Sequence, residues 1–189
     1  MPDHATSRRG IRPSAQAAPR SGRASTKALT SFQAKLDTRY ALIGLRTEGA
    51  MLTEIVYLPR SAGPLAPSNA LAERACAQIE RYVADPDYRF DLPLKIGGTE
   101  FQRSVWQQIA SIPRGRTRTY GELAQRLKSA PRAVGQACGN NRFPLVIPCH
   151  RVVAAHGLGG FAHHSAGFLL EVKRSLLLHE AETQLLVGA

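Results

Sequence analysis

Acidic residues are scarce in this sequence. Of its 189 residues, 14 are Asp or Glu and 25 are Lys or Arg, so its net charge at pH 7 is +11. This excess of positive charge favours an extended polyanion such as nucleic acid as the partner, although surface lysine and arginine also confer solubility. Hydrophobic residues make up 43% of the chain, which is enough for the core of one large domain or two small ones.

Cysteines and long apolar runs are also few. The three cysteines, Cys76, Cys138 and Cys149, are odd in number and show no CxxC spacing. The sequence therefore encodes neither a disulfide framework nor a four-cysteine zinc site. Free cysteines indicate a reducing compartment, and we expect a cytoplasmic protein. No apolar run approaches the roughly 20 residues that span a bilayer, so we expect no membrane partner.

Residues 1–30 are predicted to form a basic tail. The first 28 residues carry one acid, Asp3, and six basic residues, Arg8, Arg9, Arg12, Arg20, Arg23 and Lys27. With almost no large apolar side chains, such a segment buries too little surface to offset its ordering entropy. We predict a disordered tail that adds non-specific attraction to phosphates. An Arg- and Ser-rich start also resembles an organelle transit peptide, which is the alternative.

Residues 31–95 have the pattern of a small α/β unit. The stretches "YALIGLRT" (40–47) and "AMLTEIVYL" (50–58) are rich in strand-forming residues and predict a β-hairpin. Apolar residues spaced by four in "SNALAERACAQIERYVAD" (68–85) predict a helix. Residues 85–98 are expected to add a short strand and a linker.

The following segment is predicted to be helical. Thr99 with Gln102, and Thr119 with Glu122, have the spacing of capping boxes that start two helices. Pro131 suits the first turn of a third helix, "PRAVGQACG". The two short helices after Thr119 are separated by a brief break, so they have the outline of a helix-turn-helix.

The helix that begins at Pro131 has two contrasting faces. One face comprises Val134, Ala137 and Cys138, and the opposite face comprises Arg132, Gly135, Gln136 and Gly139. Glycine on the outer face permits close approach to a partner, and an arginine at the helix start reaches phosphates or enters a duplex. Alternatively, glycine and alanine only allow tight helix packing, and Arg132 is solvated.

A single thiol lies in the stretch "VIPCHRVV" (146–153). Residues 145–147 are predicted to form a buried strand that Pro148 ends, which places Cys149 where the chain leaves the core. His150 and the neighbouring cations are of the kind that activate a nucleophilic thiol. Because neighbours on an extended strand point to opposite faces, Cys149 and His150 pair directly only if the backbone turns. The alternative is a buried structural cysteine.

Three stretches together resemble one family. These are "FQRSVWQQIASIPRGRTRTYGELA", "PRAVGQACGNNRFPLVIPCHRVV" and "KRSLLLHE". They are similar in content and order to the DNA repair proteins that act on O6-alkylguanine, the methylated-DNA–protein-cysteine methyltransferases, over residues 99–180. The resemblance implies a small ribonuclease H-like α/β domain (31–95), a helical winged-helix-like active-site domain (96–182) and a C-terminal tail (183–189).

The resemblance also implies roles for individual residues. Cys149 matches the family's alkyl acceptor, His150 its water-linked histidine, Glu180 the glutamate of the relay, Asn141 the asparagine of the active-site turn, and Tyr120 the tyrosine that assists release of guanine. Arg132 matches the arginine that replaces the flipped base. DNA contacts are expected at Arg132, Gly135, Gln136 and Tyr120, and substrate contacts at Tyr120, Val152 and Phe161.

The implied reaction is a direct and irreversible transfer of a methyl or small alkyl group from O6-alkylguanine, and also from O4-alkylthymine, to the protein's own cysteine. It needs no cofactor, and each molecule acts once. The expected partner is double-stranded DNA, bound through the minor groove with base flipping by a monomer that associates with the nucleoid. The alternatives are a non-catalytic protein that binds alkylated DNA, and a cysteine hydrolase.

Two features depart from the family's pattern. Phe161 stands where many relatives have tyrosine, so one hydroxyl of the pocket is missing, and residues 162–166 lengthen the loop before the last helix. His156, His163 and His164 lack a cysteine or carboxylate at matching spacing, so we expect no metal site.

Overall fold

The predicted hairpin forms, as part of a three-stranded antiparallel sheet. In the computed structural model, which describes residues 31–187, the strands are β1 (Ala34–Asp37), β2 (Leu42–Glu48) and β3 (Met51–Leu58), in the order β1-β2-β3. Gly49 turns the chain between β2 and β3 with a φ of 56°, a left-handed conformation that glycine adopts without strain. The predicted basic tail, residues 1–30, lies outside the described residues.

A helix packs on this sheet. Helix α1 (Ala70–Ala84) begins after Asn69, whose side chain accepts a hydrogen bond of 2.8 Å from the Ala72 amide. Ala72, Ala75 and Ile79 are fully buried along one side of the helix. Of the residues spaced by four that predicted this helix, Ala75 and Ile79 are fully buried against the strands, whereas Leu71 and Val83 at the two ends are only partly buried.

The strand predicted within residues 85–98 does not form. Leu94 makes only an isolated bridge to Leu52 on β3, through hydrogen bonds of 2.8 Å from the Leu52 amide to Pro93 and from the Lys95 amide to Leu52. Pro86 and Pro93 lack an amide hydrogen, which prevents a longer ladder. The segment crosses beside β3 and leads into the helical part.

Both capping boxes are present. Thr99 and Gln102 cap helix α2 (Glu100–Ala110), and Thr119 and Glu122 cap helix α3 (Tyr120–Arg126). Helix α4 (Pro131–Gly139) starts with its proline in the first turn, as predicted, and packs against α2 and α3. The helix-turn-helix outline of α3 and α4 is confirmed.

The buried strand predicted at residues 145–147 is wrong. These residues form a compact turn instead, in which the Ile147 amide donates to the Phe143 carbonyl at 2.8 Å and Leu145 has a φ of 75°. The strand comes later: β5 (Val152–Val153) pairs in parallel with β4 (Arg118–Thr119). This short pairing fixes the acceptor segment against the start of α3.

The last helix, α5 (Phe168–Val187), extends past residue 182, so most of the range assigned to a C-terminal tail is helical. Residues from both halves share one continuous core, and the Ile55 amide on β3 donates to the Arg142 carbonyl at 2.8 Å. The fold is the predicted mixed α/β class, whereas the boundary at residues 95 and 96 stays a prediction. Among the helices described, none is long and apolar enough to cross a membrane.

Candidate active site

Cys149 follows a turn that the side-chain amide of Asn141 holds. Asn141 donates from Nδ2 to the Ile147 carbonyl at 2.8 Å and accepts at Oδ1 from the Phe143 amide at 2.9 Å. The chain then passes Pro148 into a single turn of 3₁₀ helix, Cys149–Arg151. The backbone therefore does turn at Cys149, which removes the alternation of faces expected for an extended strand.

Cys149 faces a cavity of about 420 Å³ beside α4. Other lining residues include Tyr120, Arg132, Gly135, Gln136, Phe161 and His163. Cys149 keeps 7% of its residue surface exposed and lines the cavity, so it is largely shielded from bulk water. A group inserted into the cavity can reach this sulfur.

The thiol is protonated at rest. Burial raises the pKa of Cys149, because a low-dielectric surrounding disfavours the thiolate. Two effects lower the pKa of Cys149: a hydrogen bond from the Asn141 side chain and the charge of Lys173. They are smaller than the effect of burial, so the pKa stays raised. A base near the sulfur is therefore required for nucleophilic chemistry.

His150 has the contacts of such a base. Its ring is fully buried, and Nε2 lies 2.8 Å from Glu180 Oε1. Burial lowers the pKa of His150 although Glu180 opposes this, so the ring is neutral. Since Glu180 accepts the Nε2 hydrogen, Nδ1 carries the free lone pair, and it has no hydrogen-bond partner among the residues described.

Glu180 joins several elements. Its carboxylate accepts two hydrogen bonds from Arg151, of 2.9 and 2.8 Å, and one of 2.9 Å from the Tyr82 hydroxyl on α1. Burial alone would raise the pKa of Glu180, but His150 and Arg151 together lower it well below its usual range. The carboxylate is thus charged and fixed behind the histidine. Sequence reasoning included Arg151 only as a cation near the thiol, not as a partner of Glu180, and it missed Tyr82.

Lys173 is a further buried group that sequence reasoning missed. Its ammonium donates to the carbonyls of Val152, Leu158 and Gly160 at 2.6, 2.7 and 2.9 Å. Burial lowers the pKa of Lys173 to about 8, although the nearby thiols Cys149 and Cys138 oppose this. Its spacing of seven from Glu180 on α5, on the same helical face, was the available signal.

Tyr120 begins α3 and lines the cavity. Its hydroxyl donates to the Gly160 carbonyl at 3.0 Å. Burial raises the pKa of Tyr120, and Cys138 and Cys149 raise it further, so the phenol remains a hydrogen-bond donor. It is the only phenol lining this cavity among the described residues.

The predicted DNA and substrate contacts divide into two groups. Arg132, Gly135 and Gln136 lie together at the cavity and Phe161 is buried in its wall. Val152 is fully buried and does not line the cavity, so its predicted substrate contact is not visible in this arrangement, and its carbonyl binds Lys173.

The lengthened loop reaches back to α4. Ala162 and His163 both have positive φ, and the His163 ring packs over Gly139, where an added Cβ would collide with it. His163 Nε2 lies 3.1 Å from Asn140 Oδ1. Within residues 31–181, whose side chains are described, no group of three or more His, Cys, Asp or Glu side chains has the arrangement of a metal site.

Comparison with known proteins agrees with this geometry. The model of the 6-O-methylguanine DNA methyltransferase DNA-binding domain matches residues 100–182. The chain is 34% identical over 151 residues to a methylated-DNA–protein-cysteine methyltransferase of Mycobacterium tuberculosis, covering 74% of this chain and 90% of that one. This chain belongs to that family. A relative from Mycobacterium leprae is 38% identical over 129 residues, covering 65% of this chain and 78% of that one.

Solved structures of this family share the fold. The crystal structure of the O6-methylguanine methyltransferase of M. tuberculosis matches with a TM-score of 0.66 and 33% identity, over 78% of this chain and 91% of that chain. A structure of the M. tuberculosis protein in complex with DNA matches with the same TM-score and coverage at 34% identity. The family resemblance inferred from the three quoted stretches is confirmed.

Proposed function

We propose that this protein repairs DNA by transferring a methyl or small alkyl group from the O6 atom of guanine to Cys149. The observation that carries the proposal is a buried thiol facing a cavity, with the His150–Glu180 pair behind it. The family's name and the family member in complex with DNA support the same reaction.

The transfer is a displacement at a saturated carbon. His150 accepts the thiol proton through a water molecule, and Glu180 stabilises the imidazolium that forms. The thiolate then attacks the alkyl carbon, so that a carbon–sulfur bond forms as the carbon–oxygen bond breaks. Tyr120 donates a hydrogen bond to the departing guanine, whose negative charge is neutralised by a proton returned from the relay. The products are an S-alkyl cysteine and guanine.

The product explains why each molecule should act once. An S-alkyl cysteine is a thioether, which has no carbonyl carbon for water to attack. The thiol is therefore not regenerated, and the protein is consumed in proportion to the lesions repaired. The same displacement is open to O4-alkylthymine, which presents an alkyl carbon on an equivalent oxygen.

Access to a buried thiol requires that the damaged nucleotide leave the duplex. Arg132 stands at the start of α4, on an outer face formed by glycine and Gln136, and it would occupy the space left by the flipped base. Such a face suits the minor groove, where a helix with small side chains approaches closely. The net charge of +11 adds attraction to phosphates. We further propose a monomer that acts in the cytoplasm on the nucleoid.

Transfer of a labelled methyl group tests the proposal. Duplex DNA with one labelled O6-methylguanine is mixed with an excess of lesion over protein, and protein-bound label is counted over time. We expect a plateau near one methyl group per protein molecule. Loss of methyl label from the DNA beyond that plateau would refute one-shot transfer, and tight lesion binding without label on the protein would favour a non-catalytic lesion-binding role.

A further inference from the structure

Two buried polar atoms that belong to neighbours of Cys149 lack a hydrogen-bond partner among the residues described. In the part of the chain with described side chains, the buried side-chain atoms that lack a hydrogen-bond partner are Arg46 Nε, Tyr57 Oη and His150 Nδ1. Buried polar groups are nearly always bonded, so each exception needs a reason. Arg46 lies on β2, whereas His150 adjoins Cys149, and Tyr57 interacts electrostatically with it.

Tyr57 reaches the site from the amino-terminal half of the chain. It lies on β3, where it pairs with Ile43, and only 8% of its surface is exposed. With Cys149 and Asn141 it lines a second cavity of about 480 Å³. Its ring packs on Phe161 with centroids 5.7 Å apart, so the sheet and the cavity wall together hold the phenol in place.

We propose that Tyr57 is a positioning residue for the acceptor thiol: its hydroxyl and His150 Nδ1 together hold one water molecule against Cys149 Sγ. This inference rests on the proposed function, since it assigns a partner to the proton relay. A buried water is retained where two to four polar groups surround it, and in this proposal its three partners are Tyr57 Oη, His150 Nδ1 and Cys149 Sγ. Phe161 contributes no hydroxyl to this site, and Tyr57 supplies one from the ring packed against it.

The hydroxyl acts on the protonation of the thiol. The thiol proton passes to the water, and the water gives one of its own protons to His150 Nδ1, so that sulfur becomes negative and the ring positive. An O–H that donates to the water makes the water a stronger donor to the thiolate. Burial raises the pKa of Tyr57 well above its usual value, so the phenol stays protonated and able to donate.

The other titratable groups that face Cys149 are unchanged when the Tyr57 hydroxyl is removed. They are Cys138 from α4, Tyr120 from α3, Lys173 from α5, and His150 with its partners Glu180 and Arg151. A shift in the thiol's titration in Tyr57→Phe is therefore attributable to the hydroxyl.

The test compares Tyr57→Phe with Tyr88→Phe, a matched loss of a phenol hydroxyl whose ring packs on Phe90, away from the thiol. Single-turnover transfer from O6-methylguanine duplex is measured against pH. We expect Tyr57→Phe to be about three- to tenfold slower at neutral pH, with the difference closing as pH rises through the thiol pKa. Tyr88→Phe should match the wild type. Two outcomes would overturn the proposal. The first is that Tyr57→Phe and the wild type transfer at equal rates at every pH. The second is that Tyr57→Phe is slower by the same factor at every pH, which indicates a contact with the damaged guanine.

A second readout does not depend on DNA. The folded protein is alkylated with iodoacetamide at a series of pH values. After digestion, the extent of alkylation is measured on the peptide that carries Cys149. Tyr57→Phe should shift this titration to higher pH and Tyr88→Phe should not, with melting temperatures confirming that both variants fold. An unshifted titration overturns the role of Tyr57 even if DNA repair is confirmed, and a shifted one supports it even if methyl transfer fails.

Discussion

Cys138 and Cys149 line the same cavity from two different kinds of local structure. Each keeps 7% of its surface exposed, and burial raises the pKa of both thiols, to about 12 for Cys138. Cys138 lies inside helix α4, whereas Cys149 follows a turn held by Asn141 and precedes the buried His150. We therefore expect that facing the cavity is not sufficient to make a thiol an acceptor, and that a donor and a base near the sulfur are also needed.

The largest effect expected from this contrast comes from removing each thiol in turn. Cys149→Ala should abolish methyl transfer while DNA affinity is kept, because the cavity and α4 remain. Cys138→Ala should keep transfer and lose about 1 kcal/mol of unfolding free energy, as for a small buried side chain. Counting labelled methyl groups on each variant measures this, and label on the Cys149→Ala protein would contradict the assignment.

The proposed base next to Cys149 is His150, and Glu180→Gln should weaken it. We expect transfer about a hundredfold slower, as for loss of general-base catalysis, and about 3 kcal/mol less stability at pH 7, because Arg151 loses its buried partner. Glu171→Gln, at an exposed site on the same helix, is the control.

The stability difference between the wild type and Glu180→Gln should depend on pH in a defined direction. The pKa of Glu180 is lowered in the folded state, so its stabilisation is complete above the unfolded pKa of about 4.3 and is lost as pH falls below it. Urea unfolding measured across pH should show that the difference in unfolding free energy between the wild type and Glu180→Gln becomes smaller in acid. A difference in unfolding free energy that stays constant from neutral to acid pH would be inconsistent with a charged, paired Glu180.

Tyr120 lies near both thiols, so a substitution there does not distinguish one cysteine from the other. It tests instead how the oxygen of guanine is stabilised as its bond to the alkyl group breaks. Tyr120→Phe removes the donor expected at guanine and should slow transfer about ten- to hundredfold. Affinity for duplex DNA should change little. The comparison is a single-turnover rate beside a binding titration, and an equal loss in both would reassign Tyr120 to DNA binding.

The smallest effect is expected where the turn itself is loosened. Asn141→Ala removes the hydrogen bond that lowers the pKa of Cys149, so Cys149 should come to resemble Cys138. We expect about tenfold slower transfer at neutral pH, recovering as pH rises. Asn140→Ala, at the neighbouring residue that contacts His163 on the far loop, is the matched control. A pH profile of Asn141→Ala that overlays the wild type would rule out this role.

Local patterns in the sequence predicted local structure well. Thr99 with Gln102, and Thr119 with Glu122, form the predicted capping boxes because each depends on residues three apart. The prediction of a strand at residues 145–147 was wrong because the local structure there depends on residues outside the stretch. The apolar run itself favours a strand, but Asn141 and the flanking prolines impose a turn, and turns of this kind override propensity.

Contacts between distant parts of the chain were out of reach of such patterns. Tyr82 and Glu180 are 98 residues apart in sequence and 2.9 Å apart in the fold. Tyr57 likewise lines a cavity together with Cys149, and its ring packs on Phe161, although these residues are far apart in sequence. The family resemblance named the carboxyl-terminal residues of the site, whereas the amino-terminal tyrosines emerged from the structure.

Peptide mapping by mass spectrometry after reaction with O6-methylguanine duplex tests the central claim most directly. The account predicts one added CH₂ group on the peptide that carries Cys149, none on the peptide that carries Cys138, and no further loss of O6-methylguanine from the DNA once all Cys149 is modified. Unmodified Cys149 alongside continued repair, or the added group on Cys138, would contradict it.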